Sequence, residues 1–149
     1  TTIGKLMTEY KLGEAVQRLG SEGVPLFGTC AGMILLAKRV IGLDMQPLGV
    51  MDIEVRRNAF GRQLDSFETE LLISALGNKP FPAVFIRAPL IERVGDGVKS
   101  LARLQDGTTV AARGENILVS AFHPELSKDT RLHQYFLNIV EARCKSKEG

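Results

Sequence analysis

Cys30 stands in the run Gly28-Thr29-Cys30-Ala31-Gly32, with a glycine two positions to either side. That is the pattern of a nucleophile elbow, a strained turn between strand and helix that lifts a reactive atom clear of a sheet. Side chains at positions 28 or 32 would crowd such a turn. A sulfur at a helix N-terminus also meets free N–H groups and the positive end of the helix dipole, which favour thiolate over thiol and would draw its pKa down. The same amides, that of Ala31 first, can donate to an oxyanion. Taken alone, the run fits equally well a small buried cysteine ahead of a core helix, since short motifs match by chance.

A second constellation lies in Ala121-Phe122-His123-Pro124-Glu125. His123 closes a predicted strand, and Glu125, two residues on, falls on the same side of an extended chain, where it can hold the imidazole in one tautomer. A base and its orienter need that relation. A loop histidine on its own is more often a surface residue. The two patterns together resemble the triad-type glutamine amidotransferases, whose glutaminase domains use Cys, His and Glu in this order.

Further runs narrow the resemblance. Arg56-Arg57-Asn58-Ala59-Phe60-Gly61-Arg62-Gln63, Ser66-Phe67-Glu68 and Phe85-Ile86-Arg87-Ala88-Pro89 are similar to the family of glutaminase subunits of pyridoxal 5′-phosphate synthase. Gly28 to Met33 and Ser120 to Leu126 match the same family, so the likeness runs from Thr1 to about Asn138. It implies glutamine as substrate, a Cys30–His123–Glu125 triad, an oxyanion donor at Ala31, and glutamine contacts at Arg57, Ile86 and Arg87. It implies a synthase subunit as partner, receiving the ammonia to build the cofactor from a pentose phosphate and a triose phosphate. Arginine is suited to the α-carboxylate of glutamine, and backbone carbonyls to its α-ammonium. Without the resemblance, Arg57 and Arg87 read as solvated charges at strand ends. The chemistry requires neither a metal nor an organic cofactor.

These side chains need a scaffold. Ile3, Leu6, Met7, Ala15, Val16 and Leu19 recur at helical spacings from Thr1 to Gly20, with Thr1 or Thr2 as N-cap and Gly13 as an interruption. Val24 to Phe27 is a short buried strand, and Met33 to Ala37 with Val40 an almost wholly apolar helix. Strands and loops are predicted around Ile53 and Val55, Phe67 to Ile73, Val84 to Ile86, Leu101 to Leu104, Thr109 to Ala112 and Ile117 to Phe122. Asp106-Gly107 signals a hairpin. Thr130 to Arg143 is amphipathic, with Leu132, Phe136, Ile139 and Val140 on one side and His133 beside that stripe, followed by a fraying tail from Lys145 with Cys144 as an exposed thiol near it. The order predicts an α/β fold, a mixed and mainly parallel sheet flanked by helices, flavodoxin-like, in a single domain over residues 1–149.

Composition bounds the reading. With 149 residues, 44% hydrophobic and 24% charged, the chain can bury a core. A net charge of +2, without a Lys/Arg cluster, argues against a nucleic-acid partner. No apolar run approaches the roughly 18 residues of a membrane span and no leader pattern opens the chain, so the cytoplasm is expected, with no membrane. Cys30 and Cys144, far apart and outside any C-x-x-C, fit reduced thiols rather than a disulfide or zinc site.

The chain opens on a predicted helix without an initiator Met, where a parallel α/β sheet would place a strand first. The expectation is therefore an N-terminally incomplete glutaminase domain. The family carries a Gly-Gly-Glu-Ser loop just before the pair matching Thr1-Thr2, which contributes to the oxyanion hole and to glutamine binding, and that loop is missing from this sequence. Two other readings stand beside the glutaminase: a related cysteine hydrolase acting on another amide or a γ-glutamyl bond, and an inactive or truncated form that only binds the synthase.

Overall fold

The structure is a computed structural model describing residues 12–42, 44–57 and 66–148. The N-cap and first apolar positions expected at Thr1 to Met7, and the run from Asn58 to Gln63, lie outside the described residues. Helix α1 (Leu12–Ser21) leads into strand β1 (Leu26–Thr29), a short helix α2 (Ala31–Leu36) and strand β2 (Ala37–Ile41). Strands β3 (Met51–Arg56), β4 (Ser66–Leu71), β5 (Phe81–Ile86), β6 (Leu90–Val94), β7 (Lys99–Arg103), β8 (Thr109–Arg113) and β9 (Ile117–Ser120) follow, and helix α3 (Arg131–Glu148) ends the chain. Single 3₁₀ turns cover Ser74–Leu76 and Pro124–Leu126.

The larger sheet runs β1-β9-β8-β6-β3-β2, with β7 paired to β8, and β4 and β5 form a separate pair. The expected mixed α/β sheet is present, but among the described residues only β1–β9 and β2–β3 are parallel. The other pairings are antiparallel. Tight turns cause part of this, since neighbours joined by a few residues can pair only as hairpins. At Asp106-Gly107, Gly107 takes φ 90°, its amide meets the Leu104 carbonyl, and the Asp106 carboxylate accepts the Thr108 amide.

The apolar run after Ala31 predicts a helix as far as Val40, yet α2 stops at Leu36. The returning chain explains the stop: the carbonyls of Leu35, Leu36 and Ala37 accept the amides of Leu48, Val50 and Gly49 rather than those of a further helical turn. Lys38 and Arg39 then extend along β2, facing Asp52 and Glu54 of β3, which also face Arg93 of β6. Strand β6 gives no clear sequence signal, because Glu92 and Arg93 break its apolar pattern while pairing with Arg56 and Asp52.

The core lies where alternate residues of the strands turn inward. Ile53, Val55, Val110, Leu118 and Val119 are fully buried, and Met33 of α2 and Leu132 of α3 cover them. Helix α3 continues to Glu148, beyond the expected fraying point. Its Phe136 packs on Phe27 with ring centroids 5.2 Å apart, and exposed His133 meets the edge of the same ring at 5.8 Å.

One clamp docks the start of α3. The Arg131 guanidinium binds both oxygens of Asp129, donates to the carbonyls of Lys79 at 2.8 Å and Pro80 at 2.9 Å, and lies over the Phe81 ring. Hydrogen bonding from Arg131 holds the Asp129 carboxyl below its ordinary range. A depressed folded-state pKa contributes stability above the unfolded value, lost as pH falls through the folded one. Thermal melts from about pH 6 down to about pH 2 should therefore show a shallower acid decline for Asp129→Asn than for the parent. Arg131→Ala should melt roughly 5 °C lower at neutral pH; an unchanged transition would mean that the clamp adds nothing.

Candidate active site

Strand β1 delivers Cys30 to the turn before α2, and the backbone there is strained. Cys30 adopts φ 51° and ψ −106°, a conformation that costs a side-chain-bearing residue about 1–3 kcal/mol. Its amide donates to the Ser120 carbonyl at 2.8 Å and its carbonyl accepts the Ile34 amide at 3.2 Å, so the strain is held from both sides. Gly28 makes the turn possible: a Cβ there would lie 2.8 Å from the carbonyl carbon and oxygen of Gly32. A Cβ on Gly32 would meet nothing within 4 Å. The crowding expected at both glycines thus applies to position 28 alone, because the Gly28 face of the turn is the one that meets backbone.

The thiol is half-buried, with Sγ 3.9 Å from the Ile86 carbonyl oxygen. Burial pushes its pKa up; the Ala31 amide works in the opposite direction, and the Glu125 carboxylate adds to the rise. The thiolate expected from a helix N-terminus is therefore not favoured in the resting protein. The Ala31 amide at the start of α2 lowers the pKa, but by less than burial raises it.

His123 begins the 3₁₀ turn Pro124–Leu126 rather than closing a strand, since β9 ends at Ser120. Its backbone amide donates to the Val84 carbonyl of β5 at 2.8 Å. Nδ1 and the Glu125 carboxylate are 2.7 Å apart, a pairing created by the turn and not by an extended chain. A carboxylate at that distance selects the tautomer with hydrogen on Nδ1, leaving Nε2 as the proton acceptor.

Ile86 ends β5 with 41% of its surface exposed, and Arg87 follows it in a left-handed conformation, φ 44°. Arg57 lies just beyond β3, its amide bonded to the Ile41 carbonyl. Both arginines are exposed, and their side chains form no hydrogen bond or ion pair among the described residues, so both are available to a ligand carboxylate. The structure brings Cys30, Ile86, His123 and Glu125 into one neighbourhood through the contacts above; no contact joins Arg57 to it among the described residues. Arg62 lies outside them, and Ser66 and Glu68 sit exposed on β4.

Val84 and Ser120, whose backbone groups tie the neighbourhood together, are not singled out by sequence reasoning. Backbone acceptors leave no sequence signal; a serine at the end of an apolar strand leaves a faint one, since such hydroxyls usually satisfy nearby backbone. Among the described residues no group of three or more His, Cys, Asp or Glu could hold a metal ion, and no helix is long and apolar enough to cross a membrane.

Comparison with known proteins gives concordant results. A family model described as SNO glutamine amidotransferase family matches residues 1–142. Pyridoxal 5′-phosphate synthase subunit PdxT of Herpetosiphon aurantiacus is 56% identical over 142 residues, covering 93% of this chain and 75% of the relative. The protein of the same name from Moorella thermoacetica is 54% identical over 140 residues, covering 94% and 74%. A crystal structure described as a glutamine amidotransferase superimposes with a TM-score of 0.87 at 51% identity, covering 94% of this chain and 74% of that one.

The raised thiol pKa yields a measurable expectation. With exposed Cys144 replaced by Ser, alkylation of Cys30 by iodoacetamide should accelerate only above the ordinary thiol range, about pH 8.5. Glu125→Gln should move that profile to lower pH by removing a negative charge. A parent profile lying below the ordinary range would show that the dipole outweighs burial after all.

Proposed function

The chain belongs to the SNO glutamine amidotransferase family, and on that premise we propose that it is the glutaminase subunit of a pyridoxal 5′-phosphate synthase, with Cys30 as nucleophile, His123 as base and Glu125 as its orienter. The observation that carries the assignment of the nucleophile is the strained φ of 51° at Cys30. Strain of this kind persists only where the surroundings enforce it, and it collects at sites that use it.

In this reading His123 Nε2 takes the Cys30 proton, and the thiolate adds to the side-chain amide carbon of glutamine. The Ala31 amide donates to the resulting oxyanion. Collapse of the tetrahedral adduct breaks the C–N bond, the nitrogen takes the proton from His123, and ammonia leaves a γ-glutamyl thioester on Cys30. Water, losing its proton to His123, adds to the thioester; a second collapse releases glutamate, and the proton returns to sulfur. Glu125 stabilises the imidazolium formed in each half. Arg57 and Arg87 hold the α-carboxylate, and the Ile86 carbonyl, already beside the sulfur, receives polar hydrogen from the substrate. No metal or organic cofactor takes part.

The partner in this proposal is the synthase subunit, which consumes the ammonia. A thiol held protonated by burial suits such a division, because the free glutaminase then idles until substrate and partner reorganise the site. The compartment is the cytoplasm, where Cys30 and Cys144 stay reduced. The whole chain serves as one glutaminase domain in this reading.

Glutamate release in the presence of the synthase tests it. Cys30→Ala should abolish turnover while leaving the melting transition nearly unchanged, and residual activity above a tenth of the parent rate would remove Cys30 from the role. His123→Asn should cost about 10²–10⁴ in kcat, and Glu125→Gln less, since the base is still present. Arg87→Ala should leave kcat nearly intact and raise KM about ten- to a hundredfold, the loss of one charge-assisted bond to a part of the substrate that does not react. A KM within twofold of the parent would return Arg87 to solvent.

A further inference from the structure

Ser120 is a buried polar side chain with no solvent exposure, at the last position of β9. Two of its atoms face two different parts of the site. Its carbonyl accepts the Cys30 amide at 2.8 Å, and its hydroxyl donates to the Phe122 carbonyl at 2.9 Å. That carbonyl belongs to the peptide unit joining Phe122 to His123, whose N–H donates to the Val84 carbonyl at 2.8 Å. The plane that carries His123 is therefore held at both edges, its oxygen by Ser120 and its nitrogen by β5. Strand β5 closes the circuit, because its terminal Ile86 carbonyl lies 3.9 Å from Cys30 Sγ.

The hydroxyl fixes the one part of this circuit that sheet pairing leaves open. The Ala121 amide still follows the sheet, bonding the Val110 carbonyl at 2.8 Å, but the strand has ended and the chain must bend before His123. Phe122 fills the space beneath the bend, between the Phe81 and Phe85 rings at centroid distances of 5.8 and 5.6 Å. Ring packing is tolerant of small rotations; a buried carbonyl that would lose the Ser120 hydroxyl on turning away is less so.

We infer that Ser120 is a positioning residue for the glutaminase reaction, setting the orientation of the Phe122–His123 peptide, and so of the imidazole, relative to a nucleophile whose backbone it also holds. The inference rests on the proposed roles of Cys30 and His123. Ser120 touches no reacting atom in this assignment; it acts through His123. A base displaced by an ångström loses rate without losing affinity, because substrate contacts at Arg57, Arg87 and Ile86 are untouched.

The test compares Ser120→Ala, Ser120→Thr and Ser120→Val with the parent and Cys30→Ala, assaying glutamate release with the synthase present at a temperature well below every melting transition. Threonine keeps the hydroxyl, and valine has the same shape without it. Ser120→Ala and Ser120→Val should lose about ten- to a hundredfold in kcat with KM within twofold, while Ser120→Thr stays within about threefold of the parent in both. Parent-like kcat in Ser120→Ala overturns the inference, as does equal loss in the threonine and valine variants with alanine unaffected. If the added methyl prevents Thr and Val from folding, the alanine variant decides by its division between kcat and KM, a matched loss in both being the mark of a damaged fold and overturning the assignment. Cys30→Ala keeps the two levels apart: if it remains active the underlying glutaminase reading fails, whereas if it is dead and Ser120→Ala is not, only the role of Ser120 is lost.

Discussion

The 2.8 Å bond from the Cys30 amide to the Ser120 carbonyl is the constraint on which the rest of the arrangement depends. It extends the parallel β1–β9 pairing, in which Thr29 faces Ser120, one residue past the end of β1. A left-handed cysteine is otherwise free to relax into an ordinary helical or extended conformation. With its amide committed to β9, and with Gly28 letting the backbone of Gly32 approach, relaxation would break the bond or drive backbone into backbone. The strain is thus held in place by sheet pairing.

From that point the surroundings are arranged in opposition. Burial makes the sulfur a poor anion, and the Glu125 carboxylate makes it poorer, while the Ala31 amide pulls the other way. Such a balance leaves the thiol sensitive to small changes at its border. An incoming amide that displaces water, or a proton moved onto the imidazole, alters the same electrostatic terms that keep it protonated at rest. The half-buried position of Cys30 keeps it both reachable and tunable.

Much of this was legible in the sequence, for local reasons. Gly28 beside Cys30 marks a strand-to-helix turn through a close backbone approach that only glycine allows, and the two-residue spacing does bring His123 and Glu125 together, through a 3₁₀ turn rather than the extended chain expected. Short apolar stretches bounded by turn residues point to β3, β7 and β8, and Asp106-Gly107 to the hairpin that joins β7 and β8. What escaped depends on residues far apart in sequence. The end of α2 is set by amides from residues 48–50, and β6 hides its apolar period behind Glu92 and Arg93, whose partners sit on β3. The direction of the thiol shift turned on burial, which a motif does not report. Arg57 and Arg87 stand out only through resemblance to a family, since a charge at a strand end has no spacing signal of its own.

The β1–β9 pairing also has a bearing on how the chain comes into being. A ribosome releases the Cys30 turn well before the His123 turn, since the paired strands β1 and β9 are far apart in sequence. Until β9 has emerged there is no Ser120 carbonyl to hold Cys30 in its left-handed state. A nascent chain therefore carries a cysteine without the bond that enforces its strain, and on the proposed role of Cys30 it could not spend glutamine during its own translation. The same long separation makes closure of this pair a non-local event, of the kind that slows folding.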